Sequence, residues 1–453
     1  MMTMQLSEAA KVLHGRLAGE NVTFHGVSTD TRKLMPGSLY IALQGPNFDG
    51  HAFVENARQQ GAVAAAVSRP CDSSLPQVEV LDTRLALGQL GAFWRQQFSL
   101  PIVAVTGSNG KTTVRAMTEA ILSACGRTLS TQGNLNNDIG LPLMLARLGP
   151  DDQYAVLEMG ANHPGEIDYL AGLAQPTIAV ITNAAPAHLQ GFGDLEGVAK
   201  AKGELFARLD RHGTAVINAD DVFAPLWRSL AGHCHIVEFG LDGDAGVTCE
   251  WRGDTRGSDM RLLTMQGEVE LRLPLPGRHN VMNALAACAV AQAAGADLSA
   301  VRRGLESLSA VAGRFNIHSL PGGITLVDDT YNANPESLQA ALDVLALSAG
   351  ERWLVLGDMG ELGATAAELH AAVGRKARAA GVARLYGLGE LAQQAVVAFD
   401  GPGGAFSSMD ELLDTLRADL HGSLHILVKG SRSMRMERVV AALGITASGG
   451  REH

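Results

Sequence analysis

Paired cysteines, a basic excess and a long apolar run are all missing from this sequence, and each absence removes a class of protein. The five cysteines, Cys71, Cys125, Cys234, Cys249 and Cys288, stand singly with no Cys-x-x-Cys. That pattern argues against a disulfide framework or a zinc cluster and for reduced thiols in the cytoplasm. Lys and Arg number 36 against 47 Asp and Glu, a formal net charge of −11. An acidic surface suits neither nucleic acid nor an anionic membrane, because both demand a basic footprint. It still permits a local anion site made of backbone N–H groups and one or two lysines. Residues 1–10 show no basic stretch followed by an apolar run, so no signal peptide is expected. The most apolar helical segment, residues 284–295, is alanine-rich, broken by Gln292 and too short for a bilayer. No integral membrane association is expected. Internal repeats and low-complexity tracts are absent as well.

What is present is a chain of 453 residues, 46% hydrophobic and 18% charged, which suits two or three compact domains. Seven short β-branched runs each end abruptly in Gly or a polar residue before a helical stretch. They lie at 102–105, 155–157, 178–181, 215–217, 325–327, 354–356 and 426–428. Continuous apolar strands alternating with helices predict parallel sheets covered on both faces, with ligands beyond the carboxyl ends of the strands. Residues 247–275 differ. The alternation Val269-Glu-Leu-Arg-Leu273 predicts an antiparallel ribbon inserted in the α/β domain. The expected division is 1–84, 85–313 and 314–453, with a frayed tail at 448–453. The fold class is α/β with three domains. The central one is a phosphate-loop, mononucleotide-binding parallel sheet, the C-terminal one is Rossmann-like, and the N-terminal one is smaller.

The string Thr106-Gly-Ser-Asn-Gly-Lys-Thr-Thr113 follows a predicted strand and opens a predicted helix. Glycines 107 and 110 let the backbone approach an anion, successive N–H groups face it, and the helix start adds a favourable field. Ser108, Asn109 and Thr113 complete the loop, Lys111 would reach the outer phosphates of ATP, and Thr112 would bind magnesium. Val105 stands where the usual pattern has its first Gly, so the loop is a shortened variant. Glu158 and His188 follow the next strands and could hold a second magnesium ion, or could be structural residues at strand ends. Lys202 lies on a predicted helix, where composition alone reads it as a solvated surface charge. Asn280 is a helix cap or a reader of a base edge. Arg314 could meet a phosphate bidentately, and Tyr331 offers a flat face to a ring. His233 and His235 share one strand face, but a metal site there lacks further ligands, so both read as surface or core.

Taken together, Thr106–Thr113, Gly133-Asn134-Leu-Asn136-Asn137, Glu158-Met-Gly-Ala-Asn-His163, Ala187-His188-Leu189, Ala201-Lys202-Gly-Glu204, His279-Asn280 and Tyr331-Asn-Ala-Asn-Pro335 resemble the Mur ligase family along nearly the whole chain. The resemblance implies an ATP-dependent ligase that adds D-alanyl-D-alanine to UDP-N-acetylmuramoyl-tripeptide for peptidoglycan. The enzyme would be cytoplasmic and monomeric, with no nucleic-acid partner. It implies that Ser28, Thr29, Asp30, Arg32, Asn47, Asp49 and His51 hold the UDP-sugar, and that Asn134 and Asn137 also touch that substrate. Glu158 and His188 become magnesium ligands, two ions being expected. Lys202 becomes a lysine carbamate, made with carbon dioxide, that supplies a further metal ligand. Asn280, Arg314, Asp329 and Tyr331 would surround ATP. Asn332, Asn334, Asp358, Lys429, Ser431 and Arg432 would face the incoming dipeptide. A hinge is expected near 313.

Three alternatives stand beside this reading. The ligase adding the third amino acid carries Asp-Asn-Pro-Arg, which is absent here. A folylpolyglutamate-type ligase leaves the N-terminal region unexplained. A nucleotide-switched binding protein would release phosphate with ATP alone.

Overall fold

The computed structural model describes residues 1–186, 189–309 and 312–444. The expected tail lies outside them. Six parallel strands form the central sheet in the order Thr128–Ser130, Tyr154–Glu158, Ile102–Thr106, Ile178–Ile181, Thr214–Asn218 and His235–Phe239. Strand Ile102–Thr106 explains why its sequence is apolar without alternation. Val103 and Val105 pack with Val114, Met117, Val281 and Leu285 from helices Lys111–Ser123 and Arg278–Ala293. Ile102 and Ala104 face the other way, toward Leu157, Ile167 and Leu205. Both sides of the strand are therefore in a core, and each Val or Ile side chain removed from water contributes roughly 1.5–3 kcal/mol. Register then sets the site: Val105 lies opposite Glu158 and Thr106 opposite Ile181. The phosphate loop, Glu158 and the segment after Ile181 consequently emerge side by side.

The predicted ribbon is a three-stranded antiparallel sheet, Thr248–Gly253, Ser258–Thr264 and Gly267–Leu273. Its Met260, Leu262, Leu271 and Leu273 join the central core. Arg261 pairs with Glu268 at 2.7 Å and Arg272 with Asp259 at 2.9 Å on its other face.

The N-terminal sheet has five strands in the order Arg16–Ala18, Gln77–Glu79, Ala64–Val67, Leu39–Ile41 and Val27–Ser28. The C-terminal sheet has six, ordered Asn316–Leu320, Ile324–Asp329, Leu424–Lys429, Glu351–Gly357, Arg384–Leu388 and Gly403–Phe406. Only its first strand runs antiparallel to its neighbour.

The division expected at 84/85 falls inside helix Thr83–Arg95. Ala86, Leu87 and Leu90 belong to the N-terminal core, whereas Arg95 donates to the carbonyls of Ala174 (2.7 Å) and Gln175 (3.0 Å) in the central domain. One helix thus serves both units, and its apolar face leaves no break at that point. Near the expected hinge, Gly313 takes a left-handed φ of 69° and its carbonyl accepts from the Tyr331 N–H at 3.0 Å. Among the described residues no helix is long and apolar enough to cross a membrane.

Candidate active site

The phosphate loop runs from strand Ile102–Thr106 into helix Lys111–Ser123, whose N-cap is Gly110. Two glycines are required sterically. A Cβ on Gly107, at φ 149°, would lie 1.8 Å from Thr182 Oγ1, and one on Gly110, at φ 81°, 2.4 Å from Asn283 Oδ1. The loop is laced to the segment after Ile181. Ser108 N donates to Asn183 O (3.0 Å), Asn109 N to Asn183 Oδ1 (2.9 Å), and Thr182 Oγ1 to Asn109 O (2.6 Å). This modifies the expectation that successive loop N–H groups face the anion. Those of Ser108 and Asn109 are engaged, so the donors left for phosphate lie at the helix start, where Lys111, Thr112 and Thr113 have no acceptor one turn back. Lys111 Nζ donates to the carbonyls of Gly107 (2.8 Å) and Ser108 (3.2 Å). Burial pushes its ammonium pKa down, Glu158 opposes this, and Arg314 adds to it.

Beside the loop, a chain of hydrogen bonds converges on two oxygens. Thr112 Oγ1 donates to Glu158 Oε2 at 2.8 Å, and Asn136 Nδ2 donates to Glu158 Oε1 at 2.9 Å. Arg314, from the C-terminal domain, donates to Thr112 Oγ1 at 2.9 Å and stacks on Tyr331 with 4.3 Å to the ring centroid. Its Nε–H is buried without a partner among the described residues. A second bond crosses the same interface, from Asn334 Nδ2 to Asn109 Oδ1 at 2.7 Å. Asn334 also caps helix Pro335–Ala346, accepting from Ser337 N at 2.9 Å. One residue thus fixes the helix start and touches the loop.

Composition misjudged Lys202. It sits on helix Leu195–Ala207 and is buried, with the Phe192 ring 5.7 Å from Nζ. Its helix face packs toward the sheet, so burial overrides the usual preference for solvent. Burial, assisted by the charge of Lys111, pushes its pKa down to about 7. His188 lies outside the described residues. Among those described, no three His, Cys, Asp or Glu side chains group as a metal cluster.

Asn280 is not a cap. Helix Arg278–Ala293 is capped by Gly277, and buried Asn280 donates from Nδ2 to Pro276 O at 2.8 Å. Asn283, one turn on, was not singled out from sequence, although i+3 spacing puts it on the same face. Asn136, and neither Asn134 nor Asn137, is the asparagine whose side chain meets Glu158, at 2.9 Å.

The helix start after the phosphate loop, Asn136, Glu158, Asn280 and Asn283 face Arg314, Tyr331 and Asn334 across one cavity of about 1310 Å³, whose lining does not include Lys202. The phosphate loop, Asn134, Asn137, Glu158, Asn280, Arg314, Asp329, Tyr331, Asn332, Asn334 and Lys429 share it. The size exceeds that of an ordinary small-molecule pocket and suits a nucleotide plus a second substrate. Lys429 is ion-paired to Asp329 and donates to Asn332 O at 3.0 Å.

Other expected residues lie apart from that lining. Asp358 accepts from Ala392 N at 2.7 Å through its carboxylate and from Ser431 Oγ at 2.6 Å through its carbonyl. Arg432 pairs with Glu437 at 3.1 Å. In the N-terminal unit, Asp30 holds Arg32 at 2.8 Å, and Ser28 Oγ donates to Asp30 O at 3.0 Å. Thr29 and exposed Asn47 lie in the same loops. His51 is buried, its ring nitrogens engaged by Asp49 Oδ1 at 2.7 Å and Ser68 N at 2.9 Å. Arg69 pairs with Asp49, holding that carboxyl well below the usual range, with His51 adding to the effect.

Three family patterns match along the chain: the Mur ligase family catalytic domain at 23–95, the Mur ligase middle domain at 105–291, and the Mur ligase glutamate ligase domain at 313–432. The chain belongs to the Mur ligase family. Within it, the UDP-N-acetylmuramoyl-tripeptide–D-alanyl-D-alanine ligase of Escherichia coli is 47% identical, covering 98% of this chain and 99% of its own. A solved structure of the Acinetobacter baumannii UDP-N-acetylmuramoylalanyl-D-glutamyl-2,6-diaminopimelate–D-alanyl-D-alanyl ligase is 38% identical, covers 98% of each chain and superposes with a TM-score of 0.89. The Thermotoga maritima MurF ligase in complex with ADP is 26% identical over 92% of this chain and 97% of its own, with a TM-score of 0.81.

Proposed function

We propose that this chain joins D-alanyl-D-alanine to UDP-N-acetylmuramoyl-tripeptide at the expense of ATP, giving the pentapeptide precursor of peptidoglycan. The observation that carries the reading is the single cavity in which the phosphate loop and Glu158 of one domain meet Arg314 and Tyr331 of another. The tripeptide's terminal carboxylate attacks the γ-phosphorus, and ADP leaves. The amine of D-alanyl-D-alanine then adds to the carbonyl of the acyl phosphate, loses a proton, and phosphate departs. Two anions meet in the first step. Lys111 and the N–H groups at the helix start supply fixed positive field on the phosphates, and Arg314 adds a charge from across the cleft. Its free Nε–H is a donor ready for a phosphate oxygen. Tyr331, stacked on Arg314, holds the intrinsically planar guanidinium in orientation beside the loop. Enclosure between domains excludes the water that would hydrolyse an acyl phosphate.

Magnesium fits the donor set: Thr112 and Glu158 offer oxygen atoms 2.8 Å apart beside the loop, and magnesium takes few protein ligands alongside phosphate oxygens and water. Bound there, with His188 as a further candidate, it would neutralise charge on the outer phosphates. Lys202 is buried, and no ion pair to it occurs among the described residues; addition of its amine to carbon dioxide, with loss of a proton, would make it an anionic oxygen donor. The third residue of the tripeptide is diaminopimelate, as in the name of the Acinetobacter relative. The enzyme acts in the cytoplasm as a monomer. The N-terminal loops with Ser28, Asp30 and Asp49 bind the UDP-sugar, and the C-terminal strand ends receive the dipeptide.

A phosphate-release assay tests the reading. Release should require ATP, the UDP-muramoyl tripeptide and D-alanyl-D-alanine together, and single amino acids should not replace the dipeptide. Full-rate release with ATP alone would overturn it in favour of a nucleotide switch.

A further inference from the structure

Most cations lining the cavity have roles set by their surroundings. Lys111 and Arg314 stand on the phosphate loop, Lys429 is buried against Asp329, and Arg278 pairs with Asp242 at the start of the helix that carries Asn280. Arg84 is different. It reaches from the first turn of helix Thr83–Arg95 to Asp138, and the ion pair faces the cavity with Arg84 56% and Asp138 27% exposed. Asp138 is two residues from Asn136, whose side chain holds Glu158 at 2.9 Å. The open charge pair therefore stands one short loop away from the carboxylate beside the phosphate loop.

The reaction fixes what must lie there. The carboxylate that is phosphorylated belongs to the third residue of the tripeptide, so that residue's side chain ends within its own length of the phosphate loop. A diaminopimelate side chain ends in an ammonium and a carboxylate on one carbon; a lysine side chain ends in an ammonium alone. We propose that Arg84 and Asp138 read this distal zwitterion, the guanidinium taking the carboxylate and Asp138 the ammonium, and so select diaminopimelate over lysine. This rests on the ligase reading above. With diaminopimelate, both members of the pair exchange one partner for another. With lysine, Asp138 is drawn to the ammonium and Arg84 is left without a matching anion, which is the element that rejects the wrong substrate.

The test compares wild type, Arg84→Met, Arg84→Lys and Asp138→Asn in steady-state ligation, with UDP-muramoyl tripeptides ending in diaminopimelate or lysine. Wild type should prefer diaminopimelate. Arg84→Met should lower kcat/KM for that tripeptide about 10- to 100-fold, mostly through KM, the effect of losing a charge-assisted hydrogen bond. Its loss on the lysine tripeptide should be at least tenfold smaller, so the preference collapses. Arg84→Lys should keep part of the preference, and Asp138→Asn should weaken both substrates. Equal losses on the two tripeptides in Arg84→Met, or no loss, would overturn the assignment. ATP titration checks that each variant is folded; if Arg84→Met fails it, Arg84→Lys decides, and wild-type discrimination in that variant overturns the proposal. Wild type ligating neither tripeptide would overturn the ligase reading and this inference with it.

Discussion

The carboxyl ends of the two six-stranded sheets carry the same kind of residue and use it differently. In the central sheet, Glu158 and the loop after Thr106 face the cavity. In the C-terminal sheet, the carboxylate and carbonyl of Asp358 accept from Ala392 and Ser431, so that strand end is held together internally. Among the described residues of its strands, Asp329 and Lys429, at the ends of two neighbouring strands, reach the cavity. A polar residue at a strand end thus faces a cavity where a second domain closes over it, and anchors a helix where its own domain's helices cover it.

The sharpest way to break this contrast is at the central sheet. Lys111→Ala should lower kcat by about a thousandfold or more while circular dichroism stays native, since a charge aimed at the transferring phosphate acts mainly in the transition state. Retained turnover would remove the phosphate loop from the mechanism. Lys202→Ala should also be inactive, and acetate or formate should restore part of the rate by replacing carbamate oxygens; a fully active variant would return Lys202 to a structural role. Arg314→Ala should cost about 10- to 100-fold in kcat/KM, because it removes one charge-assisted contact across the interface. Asp358→Asn should behave oppositely. It should cost about 1 kcal/mol of stability, read from denaturant unfolding, with kcat within about twofold of wild type. A fall in kcat without a fall in stability would place that strand end in the dipeptide site.

The smallest effect concerns His370, buried with Nε2 accepting from Met359 N at 2.9 Å and Nδ1 donating to Ala366 O at 2.7 Å. Burial lowers its pKa, with Ala366 and Asp358 opposing. A lowered folded-state value means that the unfolded chain binds the extra proton first. Stability should therefore be fully present above the unfolded value of about 6.5 and decline as pH falls below it. His370→Gln should flatten that part of the pH–stability curve.

Much of this architecture was legible in the sequence. All seven apolar runs are parallel strands, because burial on both faces leaves no alternative to continuous apolar composition. The ribbon was legible because one wet face imposes alternation. The helix shared across residue 84 was not, since a helix buried against two units has no break to detect. Lys202 was not, because a side chain's burial depends on what packs against its helix. Asn136 was hidden among equivalent neighbours, and nothing local distinguishes the one that meets Glu158.

The sequence by itself determined the phosphate loop, the order of strands and helices, and the residue types at each strand end, since these follow from local sterics and hydrophobic period. Tertiary structure alone decided which of those ends share a cavity, that Arg314 reaches Thr112 over a sequence separation of 202, and that Lys202 is buried. Such facts depend on how separate domains close on one another, and no local pattern encodes that distance.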